Sequence, residues 1–129
     1  MNEEILFNLL KKLIPDLSQT NQFSFRDAYS KKYDLSIELK CRTSNYKMIL
    51  IEKIKYDRLI RLNAVRYINS MPSGIYSFNL KKIEEPIWFE KELPINTEFD
   101  NKNKIEKLKK VKTIGLLDLS LSDNITKLL

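Results

Sequence analysis

Residues 26–42, RDAYSKKYDLSIELKCR, carry the clearest periodicity in the chain. Apolar residues alternate with polar ones over the second half of this stretch, at Leu35, Ile37, Leu39 and Cys41. A period of two predicts a β-strand with one apolar face. A similar alternation begins at Phe23, so we predict an antiparallel hairpin of strands 23–28 and 34–42, with its turn near residues 31–33.

The chemistry of this hairpin lies in one acid and one base on the second strand. Glu38 and Lys40 are two residues apart, so they share a strand face, about 7 Å apart along the backbone, and we expect that face to point away from the core. If the turn centres on Lys32 and Tyr33, Asp27 falls opposite Glu38 with Cβ atoms about 5 Å apart. Two carboxylates that close repel each other unless a cation lies between them.

Asp34 is the rival to Asp27 as the partner of Glu38. It shares the face of Glu38, but on a straight strand it lies about 13 Å away, too far for both to bind one ion unless the strand bends. Its simpler role is to cap the turn. We therefore favour Asp27 as the partner of Glu38, whereas a turn centred near Ser30 and Lys31 would favour Asp34.

The remaining pattern predicts a single domain over residues 1–129 with mixed secondary structure. We expect a helix over 3–14, a helix over 49–62, a hairpin around the turn 72–74, a short aromatic strand at 87–89, a loop over 96–104 and a last strand over 107–121. This order of helices and hairpins predicts an α/β (α+β) fold around a mixed sheet.

Composition removes several classes of chemistry. The chain has 129 residues, a net charge of +6 and no histidine, which excludes serine–histidine and cysteine–histidine catalysis and His-ligated zinc. Its one cysteine, Cys41, excludes an internal disulfide and a cysteine metal cluster. The chain begins with acidic residues and has no long apolar run, so we expect a soluble, intracellular, cytoplasmic protein without membrane association.

Positive charge is concentrated in residues 42–61. This stretch contains Arg42, Lys47, Lys53, Lys55, Arg58 and Arg61. Such a face binds a DNA backbone through counterion release, although a solvated helix face has the same composition. A second basic run, residues 107–112, alternates partly with apolar residues, and we interpret it as a strand edge protected by lysines.

Taken together, these features resemble the PD-(D/E)xK nuclease superfamily, which includes restriction endonucleases and archaeal-type Holliday-junction resolvases. The resemblance rests on a leading helix with Glu, an Asp on one strand, Glu-x-Lys on the next, and a basic helix with a Tyr. It covers about residues 1–80, and the segments 26–42 and 51–60 are also similar to small nuclease-like proteins of bacteriophages. Arg26 stands where the motif usually has Pro, which leaves open whether Asp27 or Asp34 is the motif's aspartate.

The resemblance implies a restriction-endonuclease-like mixed β-sheet flanked by helices, with an additional C-terminal β region. It implies an endonuclease that hydrolyses DNA phosphodiesters with Mg²⁺ or Mn²⁺. Asp27 and Glu38 would hold the metal, with Glu4 or Asp34 as a further ligand, and Lys40 would orient a water or neutralise charge on the phosphate. The expected DNA contacts are Arg42, Lys53, Lys55, Tyr56 and Arg58.

Two other classes of function fit the same residues. One is a non-catalytic nucleic-acid-binding or virion-associated module that keeps the nuclease-like fold. The other is a protein-interaction domain whose basic charge reflects composition alone. If the protein cuts two strands, we expect a homodimer, and a phage-encoded enzyme would act in the host cytoplasm.

Overall fold

The computed structural model describes residues 1–21, 26–94 and 109–129. Within these ranges the chain forms two α-helices, α1 (Glu3–Leu13) and α2 (Lys53–Leu59), and nine strands. The strands are β1 (Ser18–Gln19), β2 (Ala28–Ser30), β3 (Leu35–Cys41), β4 (Met48–Glu52), β5 (Ala64–Met71), β6 (Gly74–Asn79), β7 (Phe89–Pro94), β8 (Lys109–Asp118) and β9 (Asp123–Asn124). No helix in the described ranges is long and apolar enough to cross a membrane.

The strands form two sheets. The larger sheet has the order β1-β2-β3-β5-β6-β9, and the smaller one has the order β4-β8-β7. Strands β3 and β5 are parallel, whereas the other paired strands are antiparallel. The chain crosses from β3 to β5 through β4 and α2. The predicted mixed α/β architecture is confirmed, and it is consistent with a restriction-endonuclease-like fold.

Apolar side chains fill the space on both faces of the larger sheet. On one face, Leu6, Phe7 and Leu10 of α1 pack on a cluster that includes Ile37 and Leu39 of β3. The second cluster joins β5 and β6 to β4, α2 and β8, with Ile49, Ile51, Tyr56, Leu59, Val65, Tyr67, Phe78 and Leu117 among its buried members. Strand β3 therefore runs through the interior with neighbours on both sides.

Two predicted elements match the structure closely. Helix α1 begins after Asn2, whose side-chain Oδ1 accepts a hydrogen bond from Ile5 N at 2.9 Å, and its first turn is acidic, as the helix dipole favours. The second hairpin, β5–β6, turns at Pro72 and Ser73. Gly74 follows with a φ of 152°, a backbone conformation that a side chain rarely adopts.

The predicted helix over 49–62 is wrong in its first part. Residues Met48–Glu52 form strand β4, which pairs with β8, and only Lys53–Leu59 are α-helical. Ile49 and Ile51 are both buried, at the period of two that a strand requires, and their branched side chains suit a strand. The apolar run was too short for periodicity alone to separate the two structures.

Other boundaries also differ from the predictions. The aromatic strand lies later than 87–89, because β7 begins at Phe89 and continues to Pro94. The lysines of β8 do not protect an edge, since β8 is the middle strand of its sheet. The predicted loop 96–104 and the first residues of the predicted strand 23–28 lie outside the described residues.

Close packing at Gly115 gives a test of how β8 meets the segment before β7. A Cβ atom at Gly115 would lie 2.8 Å from Pro86 Cγ and 3.0 Å from Trp88 Cζ3, closer than side-chain atoms tolerate. Gly115→Ala should therefore lower the free energy of unfolding by about 1–3 kcal/mol through overpacking. Denaturant unfolding measures the change. Leu116→Ala, at the neighbouring exposed position, is the control, and equal losses in the two variants would contradict this packing.

Candidate active site

Backbone pairing between β2 and β3 decides which aspartate faces Glu38. Ala28 pairs with Ile37 and Ser30 with Leu35, so the turn of residues 31–34 centres between Lys32 and Tyr33. The Asp27 N–H donates to the Ile37 carbonyl at 2.9 Å, which continues the pairing by one residue. Asp27 therefore lies opposite Glu38, in the register on which the sequence argument depended.

The Asp27 side chain is anchored on β3 itself. Its Oδ2 accepts a hydrogen bond from Leu39 N at 2.7 Å. Its backbone carbonyl accepts from Thr20 N at 3.1 Å, which fixes Asp27 to the chain next to β1. The side chain is half-buried. Asp27 is thus held beside Glu38 by contacts that do not involve Glu38.

We expect Glu38 on a solvated face, but the structure buries it. It is only 7% exposed, because the second core cluster packs against its side of β3. Burial raises the pKa of Glu38 from 4.5 to about 7, and the Asp27 charge acts in the same direction. An ionised Glu38 is therefore disfavoured unless positive charge is close to it.

Lys55 supplies part of that positive charge. Its Nζ lies 3.1 Å from Glu38 Oε1, and the first turn of α2, directly after β4, brings Lys55 to β3. Burial acts to lower the pKa of Lys55, but the Glu38 carboxylate outweighs it and the pKa is raised. We had expected Lys55 among the DNA contacts, whereas the structure makes it the ion-pair partner of Glu38.

Lys40 lies two residues beyond Glu38 and on the same face of β3. It is exposed, and it pairs along the parallel ladder with Asn69 of β5. Among the described residues, Lys40 forms no salt bridge. The predicted juxtaposition of Glu38 and Lys40 is present, with the amine free to meet an anion.

Glu3, rather than Glu4, is the acid of α1 that interacts with this group. Burial raises the pKa of Glu3, the Asp27 charge adds to the effect, and the Lys40 and Lys55 charges oppose it. Glu3 and Glu4 are both exposed, so the interaction with Asp27, and not exposure, distinguishes Glu3. The α1 periodicity could have shown this, because Glu3 lies three and seven residues before the buried Leu6 and Leu10.

Asp34 lies in the turn and away from this group. Its φ is 47°, in the left-handed region that Asp tolerates better than most residues, and its Oδ1 accepts a hydrogen bond from the Tyr29 hydroxyl at 2.8 Å. These are the contacts of a turn residue. The structure therefore places Asp27, and not Asp34, beside Glu38.

The expected DNA-contacting residues are dispersed. Tyr56 is 5% exposed and packs edge-on against Trp88, with ring centroids 5.2 Å apart, so it is a core residue and not an exposed contact. Lys53 pairs with Asp57 at 2.7 Å. Arg58 is exposed near the end of α2. This leaves Arg58 as the most open cation of α2.

Arg42 is half-buried and has structural partners. Its Nε donates to Asn69 Oδ1 at 2.9 Å, and one guanidinium NH₂ donates to the Leu50 carbonyl at 3.1 Å and to the Tyr67 hydroxyl at 3.2 Å. These bonds join β5 to β4 at the end of β3. Arg42 thus holds the two sheets together beside the carboxylates.

The donor set suits a hard divalent cation. Asp27 and Glu38 offer carboxylate oxygens, which Mg²⁺ prefers, and a cation between them would relieve the repulsion that raises the Glu38 pKa. No group of three His, Cys, Asp or Glu side chains able to hold a metal occurs among the described residues. A metal here would therefore use two carboxylates and complete its shell with water and phosphate oxygens.

Comparison with known proteins gives a fold neighbour and no family. The structure is similar to that of Hjc, a Holliday junction resolvase from the archaeal hyperthermophile Archaeoglobus fulgidus, with a TM-score of 0.53 and 12% sequence identity. The similarity covers 98% of this chain and 95% of that one. No protein-family model matches the sequence, and the search of curated proteins found no match. The neighbour has a PD-(D/E)xK-like nuclease fold, so the comparison supports the predicted fold class.

The raised pKa of Glu38 predicts a pH-dependent effect of Glu38→Gln. The folded protein keeps this proton up to about pH 7, whereas the unfolded chain loses it near 4.5. Stability from this group is therefore present at low pH and decreases as pH rises from about 4.5 to 7. Glu38→Gln removes that loss. The free energy of unfolding of the variant, relative to that of the wild type, should therefore increase between pH 5 and pH 8 by up to about 3 kcal/mol.

Denaturant unfolding in EDTA at the two pH values measures this difference. Comparison with the wild type at each pH cancels the titration of the other groups. Asp34→Asn, which alters only the turn carboxylate, is the control and should show no such pH-dependent gain. A stability difference for Glu38→Gln that is the same at pH 5 and pH 8 would contradict the burial of this carboxyl group.

Proposed function

We propose that this protein is a metal-dependent endonuclease that hydrolyses phosphodiester bonds in DNA. The observation that carries the proposal is the β2–β3 register, which brings Asp27 and Glu38 together with Lys40 two residues further along the strand. The fold similarity to a Holliday junction resolvase supports it. The absence of histidine also favours metal-assisted hydrolysis over histidine-based chemistry.

Asp27 and Glu38 would hold Mg²⁺ or Mn²⁺. When bound, such an ion polarises the scissile phosphate and lowers the pKa of a water. Asp27 is fixed by Leu39 N, so its position does not depend on the ion. Lys55 opposes the burial that raises the Glu38 pKa, so it would favour the ionised carboxylate that a metal needs.

Lys40 and Glu3 would act on the substrate side of the pair. The Lys40 amine, which has no salt bridge in the described part of the chain, would orient the attacking water or neutralise charge developing on the phosphate. Glu3 replaces Glu4 as the α1 acid that would interact with the metal, through water and not as a third carboxylate ligand. Its interaction with Asp27 is the reason for this choice.

The Lys55–Glu38 ion pair also favours a second candidate function. This pair satisfies the Glu38 carboxylate without any metal. In that case the protein would be a non-catalytic nucleic-acid-binding module with the same fold. Incubation with plasmid DNA and with four-way-junction DNA, in Mg²⁺, Mn²⁺ or EDTA, separates the two functions, because only the enzyme cleaves and does so only with metal.

Substitution of the two aspartates should affect cleavage and metal affinity differently. Asp27→Asn should reduce cleavage and Mg²⁺ affinity by orders of magnitude, because it removes one ligand charge while its amide oxygen can still accept from Leu39 N. Asp34→Asn should retain activity, because its side chain faces Tyr29 in the turn. Cleavage rates and calorimetric Mg²⁺ titration of both variants measure this. Loss of activity in Asp34→Asn with Asp27→Asn unaffected would reverse the assignment.

The two acids of α1 form a second matched pair. Glu3→Gln should lower metal affinity and the cleavage rate, since its charge interacts with the groups around Asp27, whereas Glu4→Gln should leave both unchanged. Both lie in the first helical turn, so any effect on the helix dipole is shared and cancels in the comparison. Equal effects of the two substitutions would show that α1 contributes only through helix stability.

A further inference from the structure

A recess of about 400 Å³ lies between the two sheets, next to Glu38. Lys40 and Arg42 line it from the β3 side, Glu52 and Lys55 from β4 and α2, and Leu93 and Lys112 from β7 and β8. Lys55 is at once a wall of this recess and the partner of Glu38 at 3.1 Å. The recess therefore lies one side chain away from the carboxylate pair.

Positive charge dominates the lining. Four of its side chains are cations and Glu52 is its one carboxylate. Glu52 is already bound by Lys112, with Nζ and Oε1 2.6 Å apart, and this bond lowers the pKa of Glu52 although burial acts to raise it. Lys40 has no salt bridge among the described residues, and Arg42 bonds only neutral groups.

Asn69 lies behind the Arg42 side of the recess and does not line it. Asn69 is fully buried, shares a sheet face with Lys40, and accepts from Arg42 through Oδ1. Its Nδ2 is buried without a hydrogen-bond partner among the described residues. The support for an anion in the recess is therefore the positive charge of its lining, which an anion with several oxygens matches.

We propose that this recess binds a phosphate group of the DNA strand next to the one that is cleaved. Lysine ammonium groups and an arginine guanidinium are the usual ligands of phosphate in proteins. The apolar side chain of Leu93 lies beside them and offers contact to a sugar. The volume of about 400 Å³ is that of a small-ligand pocket, which suits one phosphate and its sugar.

Identification of the anion as a DNA phosphate rests on the proposed nuclease function, but its binding does not need metal or cleavage. The phosphate has two sources, an internal phosphodiester or a terminal phosphomonoester. Two short single-stranded oligonucleotides of the same sequence, with and without a 5′-phosphate, distinguish them. Fluorescence anisotropy in EDTA over a range of salt concentrations measures the affinity and its salt dependence.

Lys112→Gln should weaken oligonucleotide binding several-fold and make the salt slope shallower by about 0.7, the value for one lost contact on a single strand. Lys110→Gln is the matched control, because Lys110 lies two residues earlier on the same strand and does not line the recess. Glu52→Gln should instead tighten binding, since it removes the one carboxylate of the lining. If the Glu52–Lys112 pair had only a structural role, both Lys112→Gln and Glu52→Gln would weaken binding.

The outcomes separate this proposal from the proposed function. Equal weakening by Lys112→Gln and Lys110→Gln, or no tightening in Glu52→Gln, overturns the recess as a phosphate site even if the wild type cleaves DNA. Weaker binding in Lys112→Gln alone and tighter binding in Glu52→Gln, with no cleavage in Mg²⁺ or Mn²⁺, would support the phosphate site and overturn the proposed nuclease function. Tighter binding of the 5′-phosphorylated strand in the wild type, reduced in Lys112→Gln, assigns the site to a terminal phosphate. Equal binding of the two strands assigns it to an internal one.

Discussion

The pairing of β2 with β3 holds two carboxyl groups, Asp27 and Glu38, side by side, and the surrounding structure compensates for their repulsion. Asp27 is bound to Leu39 N and Glu38 to Lys55 Nζ, so each acid has one strong donor of its own. Burial of Glu38 and, next to it, the charge of Asp27 still raise the pKa of Glu38 to about 7. A divalent cation bound by both carboxylates would offset this charge.

The smaller sheet gives the site its second wall. Strand β4 and helix α2 form the crossover between the parallel strands β3 and β5, and they bring Lys55 over Glu38. Strand β8 pairs with β4, β7 pairs with β8, and the two strands close a recess lined mainly by cations. The same chain segment that completes the fold therefore also neutralises the acid and provides an anion-binding surface. Arg42 couples these parts through its bonds to Asn69, Leu50 and Tyr67.

Local periodicity was sufficient to predict part of this arrangement. The alternation around Glu38 predicted strand β3, and counting residues through the turn predicted that Asp27 lies opposite Glu38. The sequence could not show that β3 is covered on both faces, because Ser36, Glu38 and Lys40 read as a solvated face until β4 and α2 are packed against it. For the same reason, Tyr56 was assigned to DNA although it is in the core. Lys55 and Glu52 depend on contacts between distant segments, whereas Glu3 could have been chosen over Glu4 from the α1 periodicity.

In the proposed enzyme, Asp27 and Glu38 together bind one divalent ion. Diffraction from crystals grown with Mn²⁺, with data collected for anomalous scattering, locates that ion. We expect an anomalous peak within coordination distance of carboxylate oxygens from both residues, and no such peak in crystals of Asp27→Asn. Manganese bound at Asp34 or elsewhere, with the space between Asp27 and Glu38 empty in crystals of a protein that cleaves DNA, would contradict it.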